Sequence, residues 1–129
     1  MEKFRPIVGY EECYEVSNLG RIKSKERIRN AGTKSKRTVR ERILKPCAPR
    51  KKDLYLSVCL YSNRTKALKK IHRLVASAWI PNPLKKLTVN HKNSNKLDNR
   101  VENLEWATLK ENIHDYIAKN GNAHLKKRA

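Results

Sequence analysis

At 129 residues, 38% of them apolar, the chain suits one domain, or a core with a small appended module, able to bury roughly two-thirds of its unfolded surface. The 31 Lys and Arg against 12 Asp and Glu leave a net charge of +19, a self-repulsion that an anionic partner such as nucleic acid cancels. Cys13, Cys47 and Cys59 form no C-x-x-C pair, no apolar leader opens the chain and no run of 18 apolar residues occurs, which excludes a zinc ribbon, a disulfide framework and a membrane span.

The expectation from these features is a cytoplasmic protein in a reducing compartment, its cysteines serving as small buried side chains. No basic amphipathic helix with a broad apolar face appears, so a membrane partner is not expected.

In chain order, Tyr14-Glu-Val-Ser17, Asn-Leu-Gly and Arg21-Ile-Lys-Ser24 predict a tight β-hairpin, with Gly20 taking the positive φ of a three-residue loop. Basic residues crowd 21–42, where 10 of 22 are Lys or Arg. Within that stretch 29–38 lack apolar periodicity and are expected to form a mobile basic loop. Residues 39–44 return as a strand, stopped by Pro46. Leu54, Leu56, Val58 and Leu60 alternate with Tyr55, Ser57, Cys59 and Tyr61, the period of a strand. Ser62-Asn63-Arg64 turns the chain into a shorter strand near 66–69. Ile71, Leu74, Val75, Ala78 and Trp79 then fall at i, i+3, i+4, i+7 and i+8, an amphipathic helix ended by Pro81 and Pro83.

The last unit reads as strand, Asn-rich loop, strand and helix. Its first strand ends in Asn90-His91 and its second covers 104–107. Thr108-Leu-Lys-Glu111 is a capping box, which makes Thr108 the N-cap and sets Asn112 in the first turn. Leu109, Ile113, Tyr116 and Ile117 form the apolar face of this helix, with Asn112 beside it. Beyond Lys119, an Asn-Gly-Asn stretch and a Lys-Lys-Arg end predict a frayed basic tail.

This unit puts one imidazole at a strand end and amide oxygens on a facing helix, an arrangement able to hold a divalent metal against a phosphodiester. His91, neutral near pH 7, can take a proton from water so that the hydroxide attacks phosphorus. Asn90 and Asn112 offer oxygen ligands, which suit Mg²⁺, with Mn²⁺ as a substitute. Such an ion would neutralise phosphate charge and stabilise the leaving alkoxide. The plainer alternatives are a loop-capping histidine and ordinary turn or cap chemistry for the two Asn, and composition alone favours that for the Asn pair.

Asn103 is placed to hydrogen-bond backbone across the loop, a structural role, and Trp106 belongs to the core. His72 opens the middle helix, where it can cap it or meet phosphate. His114 points elsewhere on its helix and His124 lies in the tail, so no zinc site is expected. The candidate phosphate contacts are Arg21, Lys23, Lys25, Arg27, Lys34, Lys36, Arg37, Arg40, His72, Arg73 and Arg100.

Ile71-His-Arg-Leu-Val-Ala-Ser-Ala-Trp-Ile-Pro-Asn-Pro83, followed by Val89-Asn-His91 and Asn103-Leu-Glu-Trp106, resembles the His-Asn-His (HNH) endonuclease family in its phage and intron-associated branch. Pro6-Ile-Val-Gly-Tyr-Glu-Glu-Cys-Tyr-Glu-Val-Ser-Asn-Leu-Gly-Arg-Ile-Lys23 resembles the small DNA-binding module that often precedes such nucleases. Together they cover most of 5–115 in the expected order.

The resemblance implies an α+β fold: small antiparallel β units, then a ββα-metal (His-Me finger) nuclease core at 87–119. It implies a DNA-binding module with a basic loop at 1–50, a nuclease domain at 51–119 and a flexible tail at 120–129. By position His91 matches the general base, Asn103 the loop-fixing Asn, and Asn112 and Asn90 the metal ligands. Asn90 is often Asp in the wider family. A neutral side chain there implies weaker metal affinity, or a shell completed by water or a phosphate oxygen. Relatives often carry a C-terminal helix-turn-helix module; without one, specificity is poor or rests on the N-terminal module and basic loop.

The resulting expectation is an Mg²⁺-dependent endonuclease of double-stranded DNA, phage-encoded in a bacterial host. A monomer would nick, and a symmetric homodimer could cut both strands. One rival is a non-catalytic DNA-binding protein on the same scaffold, which a neutral Asn90 favours. Another is a basic RNA-binding protein whose Tyr rings stack on bases.

Overall fold

The computed structural model describes residues 1–30, 36–47, 55–62 and 65–120. Lys34, Lys51, Lys52, Leu54, Asn63, Arg64 and the 121–129 tail with His124 lie outside the described residues, as does the side chain of Tyr116. The chain runs β1 (Phe4–Pro6), β2 (Tyr14–Ser17), β3 (Ile22–Ser24), β4 (Arg27–Asn30), β5 (Lys36–Val39), β6 (Arg42–Ile43), β7 (Ser57–Ser62) and β8 (Thr65–Lys70). It continues through α1 (Ile71–Trp79), β9 (Thr88–His91), a 3₁₀ turn (Val101–Asn103), β10 (Leu104–Ala107) and α2 (Leu109–Asn120). This is the expected α+β architecture.

β1, β2, β3 and β6 form an antiparallel sheet in the order β1-β2-β3-β6. The predicted hairpin is present, with Tyr14 opposite Ser24 and Val16 opposite Ile22, and Gly20 holds φ +88°. Arg21 belongs to the turn instead of the strand, its carbonyl accepting the Ser17 N–H at 2.8 Å.

The expected mobile loop at 29–38 needs correction. Its described residues extend into β4 and β5, which pair as a hairpin with Arg29 opposite Arg37 and Asn30 opposite Lys36. Backbone pairing joins the two strands and Ile28 is left 70% exposed, so no apolar period announces the ribbon. The single strand expected at 39–44 is likewise divided. β5 ends at Val39, and β6 crosses to pair with β3.

β7 and β8 form the expected second hairpin, starting at Ser57; Val58 and Leu60 on one face are buried, Ser57 is buried on the other, and Tyr61 stays exposed. β8 passes directly into α1, whose first N–H, that of Ile71, donates to Leu56 O at 3.0 Å. Ile71, His72, Val75 and Ala76 face inward, and the helix stops before Pro81. Ile7, Tyr14, Val16 and Ile22 meet Val58, Leu60, Ile71, Val75, Ala76, Val89 and Leu104 in one continuous core. Trp79 Nε1–H donates to Val16 O at 3.0 Å, and Trp106 Nε1–H to Ile80 O at 2.9 Å. Both halves of the chain therefore share their packing.

Two further expectations change. Leu109 and Ile113 do not pack as a buried apolar face but are 65% and 54% exposed. α2 meets β9 through its polar edge at Asn112 and Asp115 instead. Cys13 and Cys59 are half-buried, but Cys47 is exposed where its backbone bridges to Ser57. Among the described residues no helix is long and apolar enough to cross a membrane.

Leu60 is fully buried at the centre of the shared core. Leu60→Ala is expected to cost about 2–5 kcal/mol. Urea unfolding should show this as a lower midpoint in a single transition that takes both halves together.

Candidate active site

β9 and β10 pair antiparallel, with His91 opposite Leu104, Asn90 opposite Glu105 and Thr88 opposite Ala107. The period of two sends Val89 and His91 into the core and leaves Thr88 and Asn90 facing α2. His91 is 5% exposed. Its Nε2 lies 2.8 Å from Asn99 Oδ1. An amide oxygen only accepts, so Nε2 carries the proton and Nδ1 keeps its lone pair. Burial pushes the imidazole below its ordinary pKa; the Asn99 bond and the Asp98 charge pull it back in part, and Lys96 adds to the depression. A neutral ring with an open Nδ1 at neutral pH is the state a general base requires.

His72, expected as a cap or phosphate contact, is buried beside that ring. Its centroid is 5.2 Å from His91, and Tyr55 stacks on it at 4.6 Å. Tyr55 also lies 5.8 Å from His91, with Lys70 and Lys96 Nζ within about 5 Å of its ring.

The Asn-rich loop after His91 is closed by Asn103. That side chain donates to Asp98 O at 2.9 Å and accepts Asn93 N–H at 3.1 Å, while its carbonyl accepts Lys92 N–H at 2.8 Å. This is the loop-fixing geometry expected of it. Within the loop, Asn93 and Asn95 make local side-chain turns, and Ser94 adopts φ +63°. The Arg100 guanidinium grips Asp98 at 2.8 and 2.9 Å and holds its carboxyl down at about 2.

On the other face of β9, the Thr108–Glu111 capping box starts α2 as predicted. Asn112 Nδ2–H donates to Thr88 Oγ1 at 2.6 Å. Asn90 Nδ2–H donates to Glu105 Oε1 at 2.9 Å and to Asp115 Oδ2 at 3.2 Å. With both amide nitrogens committed, the two amide oxygens have no hydrogen-bond partner among the described residues and both side chains are half-buried, so the oxygens remain available. No three His, Cys, Asp or Glu side chains converge as a metal site among the described residues. The side chains that could hold an ion are Asn90 and Asn112 through their amide oxygens, with the Glu105 and Asp115 carboxylates hydrogen-bonded beside Asn90. They make an all-oxygen set and fit a hard divalent cation.

The structure brings Asn90 and Asn112 to the same β9–α2 seam and sets His91 on the opposite face of the same strand. Sequence reasoning missed Asn99, Tyr55, Glu105 and Asp115. Glu105 could have been found from the strand register, and Asp115 from its i+3 spacing to Asn112. Asn99 carried no signal separating it from the other loop asparagines.

Several expected phosphate contacts are already engaged. Arg21 pairs with Glu2, Lys23 with Glu15 and Glu41, and Arg100 with Asp98. Arg27 bonds Cys13 O, Ser24 Oγ and Lys25 O, while Arg73 bonds Leu87 O at 2.7 Å. Lys25 Nζ reaches Glu11 O at 3.5 Å. Lys36, Arg37 and Arg40 are exposed on or beside the β4–β5 hairpin and hold no side-chain partner among the described residues.

Residues 69–114 match the HNH endonuclease family, and residues 2–61 match the NUMOD4 motif. An uncharacterized HNH endonuclease of Acanthamoeba polyphaga mimivirus, L247, is 41% identical over 118 residues, covering 89% of this chain and 25% of the relative. DNA endonuclease I-HmuI of Bacillus phage SP01 is 31% identical over 117 residues, covering 91% of this chain and 59% of the relative. A solved structure of I-HmuI, described as an HNH homing endonuclease in DNA binding and cleavage, superposes with a TM-score of 0.73 at 30% identity. It covers 98% of this chain and 64% of that one. The chain thus spans about a quarter of the mimivirus relative's length and about three-fifths of the phage enzyme's.

Proposed function

This chain belongs to the HNH endonuclease family, with a NUMOD4 motif ahead of its HNH domain, and on that footing we propose that it is a metal-dependent endonuclease hydrolysing double-stranded DNA. The observation that carries this reading is His91, a buried imidazole with Nε2–H bonded to Asn99 and Nδ1 left to accept a proton. His91 takes a proton from water as the oxygen bonds to phosphorus, and the P–O ester bond breaks as the leaving alkoxide gains a proton from solvent water.

Asn90 and Asn112 would hold a divalent cation, Mg²⁺ or Mn²⁺, through their amide oxygens. Glu105 and Asp115 would supply the negative charge that two neutral amides lack. The bound cation supplies charge neutralisation at the phosphate and the leaving oxygen. Asn103 is a positioning residue that keeps the loop closed. Lys36, Arg37 and Arg40 on the hairpin, with Lys34 beside them in sequence, would contact phosphates without reading bases. One site per chain cuts one strand, so a monomer nicks and a symmetric pair cuts both. The cell cytoplasm, where the substrate lies, is the proposed location. The neutral Asn90 favours a second reading, a non-catalytic DNA-binding protein on the same scaffold.

Supercoiled plasmid with Mg²⁺, Mn²⁺ or EDTA separates the two readings. Wild type should give open-circle or linear product that requires metal, and His91→Ala should lose at least about 100-fold in rate while still shifting DNA mobility. Because the His91 pKa lies below the ordinary imidazole value of 6.5, its base form persists on acidification, and the acid limb of the rate should fall below that pH. A mobility shift with no cleavage by wild type across varied DNA sequences would favour the binding-protein reading. Asp115→Asn should weaken Mn²⁺ binding by about 10-fold in calorimetry. Unchanged affinity would remove Asp115 from the ion's surroundings.

A further inference from the structure

The β2–β3 turn reaches the residue that holds the imidazole. Gly20 has φ +88°, and a Cβ placed there would stand 2.9 Å from the Asn99 carbonyl oxygen and 3.0 Å from Asn99 Cβ. Only a hydrogen fits that gap, so the turn backbone and Asn99 are in direct contact. The same two segments are also hydrogen-bonded, Val101 N–H donating to Asn18 O at 2.9 Å.

The turn is stiff. The buried Ser17 Oγ accepts Leu19 N–H at 3.1 Å and Arg21 N–H at 3.0 Å, and Gly20 N–H donates to Ser17 O at 3.1 Å. Asn18 is tied to the N-terminal segment, its Oδ1 accepting Lys3 N–H at 2.8 Å and its N–H donating to Lys3 O at 3.1 Å. Asn99, by contrast, lies in a loop built of side-chain turns, without a strand or helix to locate it. A bond of 2.8 Å to an imidazole requires that backbone to stand within tenths of an ångström. The wall that places it comes from the N-terminal hairpin.

We propose that the turn at 18–20 is a positioning element for the general base: its backbone locates Asn99, and Asn99 fixes the tautomer and direction of His91. This rests on His91 being the base. It gives the N-terminal motif a task in the chemistry, beside any contact it makes with DNA, and makes the two halves one catalytic unit.

Two glycines make the test. Gly9 and Gly20 both adopt left-handed φ, +86° and +88°, so alanine strains either backbone alike. At Gly9 nothing lies within 4 Å of the added Cβ, whereas at Gly20 it meets Asn99. Plasmid-cleavage kcat and KM would be measured with ¹⁵N shifts of the His91 ring in metal-free protein. Gly20→Ala and Asn99→Ala should each lower kcat by about tenfold or more, leave KM unchanged, and mix the ring tautomers. Gly9→Ala should match wild type in both readouts.

Wild-type kcat and ring shifts in Gly20→Ala, or equal losses in Gly9→Ala, would overturn the proposal. Should Gly20→Ala not fold, Ser17→Ala loosens the turn without adding atoms. Altered ring shifts there support the brace, and unaltered ones remove it. Altered ring shifts in a protein that never cleaves DNA would keep the brace and remove the nuclease reading. Cleavage with unaltered shifts would do the reverse.

Discussion

A buried imidazole works as a base only when one ring nitrogen is held and the other left open. For His91 that condition depends on one 2.8 Å bond to Asn99. Much of the surrounding structure can be understood as what keeps this bond in place. Asn103 closes the loop that carries Asn99, and the Arg100–Asp98 pair clamps its last turn. The Gly20 turn walls it from outside, and the shared core fixes that turn relative to β9. Tyr55 and His72 complete the dry side of the ring, which is why burial outweighs the groups that would otherwise charge it.

Charge in this chain is divided between structure and surface. A net charge of +19 suggests that any cation is free for a phosphate, yet Arg21, Lys23, Arg27, Arg73 and Arg100 already bind internal acceptors. Moving one of them to DNA would break a bond to make one, with little net gain. Of the cations expected to meet phosphate, Lys36, Arg37 and Arg40 hold no side-chain partner among the described residues, and they lie on or beside the exposed β4–β5 ribbon. The few carboxylates are equally uneven in placement. Glu105 and Asp115 flank Asn90, where a neutral amide would otherwise face a cation alone.

Features carried by local periodicity were legible in the residues. The alternation of Leu56, Val58 and Leu60, the helical spacing from Ile71 to Trp79 and the Thr108–Glu111 box each produced the expected element. The loop-closing geometry of Asn103 was legible too, because its spacing brackets the loop. What escaped were contacts between distant positions. β4 and β5 are joined by backbone bonds that leave no apolar pattern. The Leu109–Ile113 stripe looked like a core face, but β9 and β10 receive the polar edge of α2. Asn99 differs from Asn93 and Asn95 only in what it touches, and Gly20 was legible as a turn residue but not as a neighbour of Asn99.

The most direct test of the account is the ring state of His91 in the wild-type protein at pH 7, read from its two ¹⁵N shifts. A protonated Nε2 and an unprotonated Nδ1 are predicted, with the midpoint of ring protonation below the ordinary imidazole value. A cationic ring at pH 7, or a proton on Nδ1, would contradict the assignment of His91 as a base oriented by Asn99.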